Sequence, residues 1–301
     1  MSPNLPSHPR YASQYSPAVW VHYPPWNASF RFMMIPHITY KETTVPQPAT
    51  PATESPSNCL SHYDATEVAG TGLRDLDMSR LEHYFQQYDF DFSAEDDKAR
   101  LLYNADLMSE SGRVTVAGLL LFGIHPQRYL PFSAISIARF MGEEISDEIV
   151  DQQVVDGTSS RQVDGALAIV KRNLFRPSRI QGAKTVDTRF QYPDKVFREL
   201  IVNAIVHRNY AIMGSRIRIL MFDNRIEFIS PGRLPNGITI EKLRVGVSCA
   251  VNPLLLRYME NLRYIDKLGR GLPMVCRTAE KSGKVVTFEE FGEEFRVVIQ
   301  L

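Results

Sequence analysis

The stretch "FRELIVNAIVHRNY", Phe197 to Tyr210, has the apolar content of a buried helix, yet Glu199, Asn203 and His207 interrupt it at intervals of four residues. At ~100° per residue these three positions drift only ~40° per step, so their side chains share one stripe. Lys195 and Arg198 mark the solvent face, while Val196, Leu200, Ile201 and Ala204 form the apolar one. The stripe therefore runs along the flank, beside Val196 and Val206. A carboxylate and a carboxamide there are half covered and need partners, supplied either by the protein or by a ligand. Pro193 fits the first turn, where its missing N–H is not needed, so the helix is predicted from Pro193 to about His207.

Outward from this helix the text alternates between strands and short helices. "SRIRILMF", an Asp223-Asn224 turn and "RIEFIS" read as a hairpin, followed by a Ser-Pro-Gly bend at Ser230 to Gly232. Helices are expected at "TIEKLRVG" and "NPLLLRYMENL". In "LGRGLPMVCRTAEKSG", Gly269 and Gly271 open another helix, with Pro273 in its first turn and Gly283 just past its end. The last element is the strand "FRVVIQL". Together these give an α+β fold, with helices over one face of a mostly antiparallel sheet.

Upstream, Asp77 precedes "MSRLEHYFQQY", and Ser93 with Asp96 resembles a capping box ahead of "DDKARLLYNADLM". Thr115 is placed to cap "VAGLLLFG", "AISIARF" has the alternation of a strand, and a further helix begins near Ser160. Residues 61–187 thus read as a mixed α/β connecting region and 188–301 as the domain that carries the chemistry. His125 reads as a satisfied loop histidine. The first 58 residues hold eleven of the nineteen prolines and only five Asp, Glu, Lys or Arg. Such a segment buries too little surface to offset its ordering entropy, so residues 1–60 read as a disordered Pro-rich tail with local docking of "FRFMMI", Phe30 to Ile35. A Pro-rich ligand for a partner is the other reading of that tail.

With 34 basic and 34 acidic residues among 301, the chain has no net formal charge, which excludes a uniformly basic nucleic-acid binder while leaving local patches open. Cys59, Cys249 and Cys276 are too few and too scattered for a disulfide framework or a zinc site. No apolar run approaches the ~20 residues of a membrane helix, and no signal layout opens the chain. A cytoplasmic protein is expected.

A carboxylate and a carboxamide one turn apart suit a hydrated magnesium ion and the phosphates it carries: the amide oxygen ligates a hard cation and the carboxylate orients or deprotonates a water. A Gly-x-Gly turn feeding a helix N-terminus offers N–H groups and a positive dipole end to an anion. Taken singly, the pair also reads as packing or capping and the glycines as a plain turn.

In these residues Pro193 to Leu301 resembles the Bergerat-fold ATP-binding module of the GHKL superfamily, in the version found in RecG-like helicase-related and Schlafen AlbA-type transcriptional regulators. The likeness rests on "FRELIVNAIVHRNY", on "FDNRIEFISPGRLPNG" and on "VNPLLLRYMENLRYIDKLGRGLPMV". "TVAGLLLFGIHPQRYLP" resembles the connecting region of the same proteins, extending the likeness from Gly72 to Leu301. The resemblance implies a two-layer sandwich that binds ATP or ADP with Mg2+. Carried over by position, Glu199 is the water-activating or water-orienting carboxylate and Asn203 the magnesium ligand. Ser230 and Gly232 lie at the adenine-side bend, Gly269 and Gly271 at the phosphate-side turn, and His207 makes a further contact to phosphate or to Glu199, or a plain hydrogen bond at the helix end.

The sequence departs from the family at three points. Ser230 stands where the superfamily has an adenine-binding aspartate, Asn209 where related sequences read aspartate, and the glycine turn is short. These departures imply weak binding and weaker turnover. His207 closes the pocket stripe instead of lying on an exposed dimerisation helix, which excludes it as a phosphoacceptor, and no phosphate loop of the Gly-x-x-x-x-Gly-Lys-Ser/Thr type exists to drive a helicase. The AlbA-like and winged-helix modules of the family are not visible, as in a truncated family member. Two functional readings follow. One is an ATP-binding, weakly hydrolysing regulatory module whose nucleotide state controls assembly, including a homodimer, or association with duplex DNA. The other is a truncated DNA-binding regulator with a purely structural module, in which Arg216, Arg218 and Arg225 meet phosphates.

Overall fold

The computed structural model describes residues 62–174, 192–247, 249–265 and 270–301. The Pro-rich tail with "FRFMMI" and Cys59, and the glycine at 269, lie outside the described residues. In chain order the elements are α1 (Met78–Gln86), α2 (Lys98–Asn104), α3 (Val116–Phe122), α4 (Pro126–Tyr129), β1 (Ile135–Phe140), β2 (Ile149–Val155), α5 (Ser159–Leu174) and α6 (Asp194–Val206). They continue with β3 (Ile217–Met221), β4 (Arg225–Pro231), α7 (Ile240–Arg244), α8 (Pro253–Asn261), α9 (Gly271–Glu280), β5 (Val286–Phe291) and β6 (Glu294–Gln300).

The helix starts are set by short polar side chains. Asp77 accepts from Arg80 N, and Thr115 accepts from Gly118 N, each quenching a donor that its helix cannot. The start of α2 differs from the sequence expectation: Asp97, not Ser93, is its N-cap and accepts from Arg100 N. Ser93 is instead held by its hydroxyl to Glu82 and Asp91. Two strands, β2 and β5, were not anticipated from the sequence.

The six strands form one open mixed sheet in the order β2-β1-β3-β4-β6-β5. Every neighbouring pair is antiparallel except β1 with β3, which run parallel with Ile135 opposite Ile217 and Arg139 opposite Met221. The α+β architecture read from the sequence is the one observed. One face presents Ile135, Ile137, Ile217, Ile219, Ile226, Phe228, Val297, Ile299, Val286 and Phe288, all buried. On it pack α5, α6 and α9, with α6 flanked by the other two. Residues Val196, Phe197, Leu200, Ile201, Val202, Ala204, Ile205 and Val206 of α6 are buried. At about 1.5–3 kcal/mol for each large apolar side chain, this burial far outweighs the weak helix preference of its β-branched residues.

The opposite face is laced by ion pairs. Arg218 meets Glu294 at 2.5 Å, Arg225 meets Glu227 at 2.7 Å, and Arg296 bridges Glu227 and Glu289. Arg216 lies over the Phe132 ring, 6.0 Å from its centre. Arg218 and Arg225, read as phosphate contacts in the DNA-binding alternative, thus already have acidic partners within the protein. Among the described residues no helix is long and apolar enough to cross a membrane.

Candidate functional site

Glu199, Asn203 and His207 are each half-buried along the flank of α6, facing a cleft between α6, the end of β4, α7, α8 and the start of α9. The cleft has two lobes that share Asn203, His207, Leu243 and Leu272. One lobe, the more polar of the two and hence the polar lobe, adds Glu199, Glu260, Gly271 and Pro273 beside Val202, Val206, Val247, Leu256 and Ile265. The other is mostly apolar, with Leu200, Ala204, Phe228, Ile238, Val251, Phe295 and Val297 around Ser230 and Gly232, and Arg233 as its one basic side chain among the described residues. The structure thus gathers Glu199, Asn203, His207, Ser230, Gly232 and Gly271 about one cleft, although they come from separate segments.

In the polar lobe the Asn203 Nδ2 donates to Glu199 Oε1 at 2.6 Å and to Glu199 O at 2.8 Å. Both bonds run back one helical turn and fix the amide plane. The Glu199 carboxylate rests against Gly271, the first residue of α9: a Cβ at Gly271 would stand 1.7 Å from Oε1 and 2.1 Å from Cδ. A side chain at 271 would have to displace that carboxylate, the free end of Glu199. A carboxylate at this end of α9 is favoured by the helix dipole.

In the apolar lobe the Ser230 Oγ donates to Ala204 O at 2.8 Å, tying β4 to α6. The hydroxyl proton is thereby engaged, and the oxygen has its lone pairs left as acceptors. Gly232 combines φ +124° with a tight approach, since a Cβ there would lie 2.9 Å from the Asn209 Cβ. Asn209 N donates to Pro231 O at 2.7 Å, and Asn209 Oδ1 accepts from Ala211 N, so this asparagine shapes the turn after α6.

His207 is the C-cap of α6 and makes a backbone hydrogen bond at Cys249. Burial outweighs that bond and pushes its imidazole down to about 4, so it is neutral at physiological pH. It therefore brings no positive charge to either lobe. No Lys or Arg is among the described residues that line the polar lobe.

Three residues in and around the cleft escaped the sequence reading. Glu260, on α8, brings a second carboxylate to the polar lobe. Asn252 holds the N-cap position of α8 before Pro253, yet its side chain makes no cap bond to that helix. Buried, it donates from Nδ2 to Val206 O and Arg208 O, both at 2.7 Å, and closes the end of α6. Asp64, fully buried, accepts from Leu255 N at 3.0 Å and holds the start of α8; burial raises its carboxyl above the usual range. Only the "VNP" text, an asparagine before a helix-starting proline, hinted at either contact.

Residues 214–299 match the family model described as "Putative ATP-dependent DNA helicase recG C-terminal". This supports a RecG-like ATPase-type module over β3 to β6, and the match begins beyond α6. Among solved structures, the chain is similar to the DIP2311 protein from Corynebacterium diphtheriae, at 20% identity and a TM-score of 0.58. The likeness covers 80% of this chain and 40% of that one, and at this identity it speaks to the fold alone. The chain thus spans about two fifths of the length of that protein. No curated protein matches the chain in sequence.

Proposed function

We propose that the cleft binds a magnesium-bound adenine nucleotide, ATP or ADP, with the base in the apolar lobe and the phosphates in the polar one. The observation that carries this reading is the seat formed by Asn203, Glu199 and Gly271 at the N-terminal end of α9. The Asn203 Nδ2 is committed to Glu199, so the amide has its Oδ1 to offer, and a hard cation takes oxygen. Among the described residues no three His, Cys, Asp or Glu gather to hold a metal by themselves. An ion here would share its coordination with the phosphates, which is the habit of magnesium. When bound, it would neutralise phosphate charge that no basic side chain among the described residues of that lobe meets.

The chain's own groups then divide the work. Asn203 holds the cation, and Glu199 orients or deprotonates a water one helical turn away. Gly271 and the first turn of α9 receive the phosphates. Ser230 and Gly232 border the base, and a neutral His207 lines both lobes. The uncharged Ser230 recognises adenine weakly, so occupancy is modest and hydrolysis slow. Nucleotide occupancy controls how the protein assembles or associates with DNA.

A thermal-shift titration with Mg-ATP and Mg-ADP tests the binding step, because a ligand that binds only the folded state must raise the midpoint. The wild type should shift and Asn203→Ala should not; equal shifts in both would sink the assignment. A wild type that shifts with neither nucleotide, yet retards duplex DNA in a salt-dependent manner without them, would favour a structural module in a DNA-binding protein.

A further inference from the structure

The two carboxylates of the polar lobe are held in different ways. Glu199 accepts from the Asn203 amide and rests at the positive end of α9. Glu260 has neither support. It is half-buried in the last turn of α8, where the helix turns its negative end toward a carboxylate, and no basic residue shares that turn. Among the described residues no side chain donates to the Glu260 carboxylate and no Lys or Arg pairs with it. On an open surface such a carboxylate costs little, because water and salt screen it. In the wall of a cleft its field persists, since low-dielectric walls focus it on whatever enters. A glutamine or a lysine would suit this end of α8 better. The stability of the helix therefore does not account for an acid at this position, and its place in the lobe does.

We infer that Glu260 sets the charge that the lobe admits, and so selects the magnesium complex of a nucleotide against the free polyphosphate. The inference rests on the nucleotide reading of the cleft. A metal-free di- or triphosphate brings its full negative charge to a lobe with two carboxylates and, among the described residues of its lining, no basic side chain. The divalent ion offsets much of that charge. At an effective dielectric constant of ~20, one unit charge ~8 Å from another changes an equilibrium constant by more than about tenfold. A single carboxylate is thus enough to separate the two forms of the ligand. Glu260 lines the polar lobe and not the apolar one, so it acts on the phosphates and leaves the base alone.

Isothermal titration of the full chain with ADP, in excess magnesium and in EDTA, reads this selectivity as a ratio of affinities. The wild type should bind the magnesium complex about a hundredfold more tightly than free ADP. Glu260→Gln keeps the shape and removes the charge; it should tighten free ADP about tenfold and leave Mg-ADP within about twofold. Glu260→Lys should tighten free ADP further. Both variants should bind adenosine like the wild type and melt no lower than it, since each relieves the end of α8. Either variant decides the point should the other fail to fold. A ratio that the loss of the charge leaves unchanged overturns the inference while the nucleotide reading stands. Loss of Mg-ADP binding in Glu260→Gln overturns it too, and makes Glu260 a holder of the bound ion. A wild type that binds no Mg-ADP defeats the nucleotide reading itself, and the role of Glu260 falls with it.

Discussion

In the lobe beneath α9, Glu199 and Glu260 face a space bordered by a helix N-terminus; in the lobe over β4, a single hydroxyl stands among Phe228, Val251, Phe295 and Val297. The first lobe is built from side chains that hold one another in place, as the Asn203 amide holds the Glu199 carboxylate and Gly271 makes room for it. The second is built from shape. Beyond the Asn203 and His207 that it shares with the first, its polar lining is Arg233 and Ser230, and Ser230 spends its proton on Ala204 O. Such a cleft can be exacting about the charged end of a ligand and tolerant about the flat end, and substitutions in the two lobes should differ accordingly.

The largest effect is expected at Asn203. Its replacement by alanine should weaken Mg-nucleotide binding about a hundredfold, read from the thermal-shift titration, because it removes both the cation's oxygen and the bond that orients Glu199. Retention of binding would erase the distinction between the lobes. Gly271→Ala should weaken Mg-nucleotide binding about tenfold with little loss of stability, since its Cβ displaces the free end of Glu199 from α9. A variant that binds like the wild type would show that the carboxylate's place against α9 does not matter to the ligand.

His207 belongs to both lobes and ties them to pH. Its folded-state value of about 4 lies below the ~6.5 of an unfolded chain, so the unfolded state binds the proton first. Its contribution, about 3 kcal/mol at most, is present above pH 6.5, fades as pH falls toward 4 and is gone below that. Denaturation of the wild type and of His207→Gln at pH 7 and pH 4.5 isolates this term as the difference between the two slopes; parallel profiles would show a solvated imidazole. The smallest effect is expected at Ser230. Its replacement by alanine should cost about 1 kcal/mol through the lost bond to Ala204 O. It should change the ratio of ADP to GDP affinity more than it changes the affinity for inorganic pyrophosphate.

The polar lobe was legible in the sequence because a four-residue interval on a helix is local: the text alone puts Glu199, Asn203 and His207 in one stripe. The caps at Asp77 and Thr115 were legible for the same reason. The partners of that stripe were not. Glu260 reaches the lobe only because α8 crosses behind it, and Asn252 bonds to carbonyls more than forty positions away. Nothing in the local pattern of either residue encodes that distance. The strand β2 was missed because its polar middle breaks the alternation that marks a half-buried strand.

The parallel pairing of β1 with β3 carries one more consequence. Strand β3 forms the middle of the sheet only while β1 lies beside it, and β1 comes from the stretch that the sequence assigns to a connecting region. Amide protons of β1 and β3 should therefore exchange with solvent in a single cooperative opening, which native-state hydrogen exchange can follow residue by residue. A fragment begun at residue 188 would expose the outer backbone of β3, a template for aggregation. The smallest unit worth expressing to study this cleft begins before Ile135.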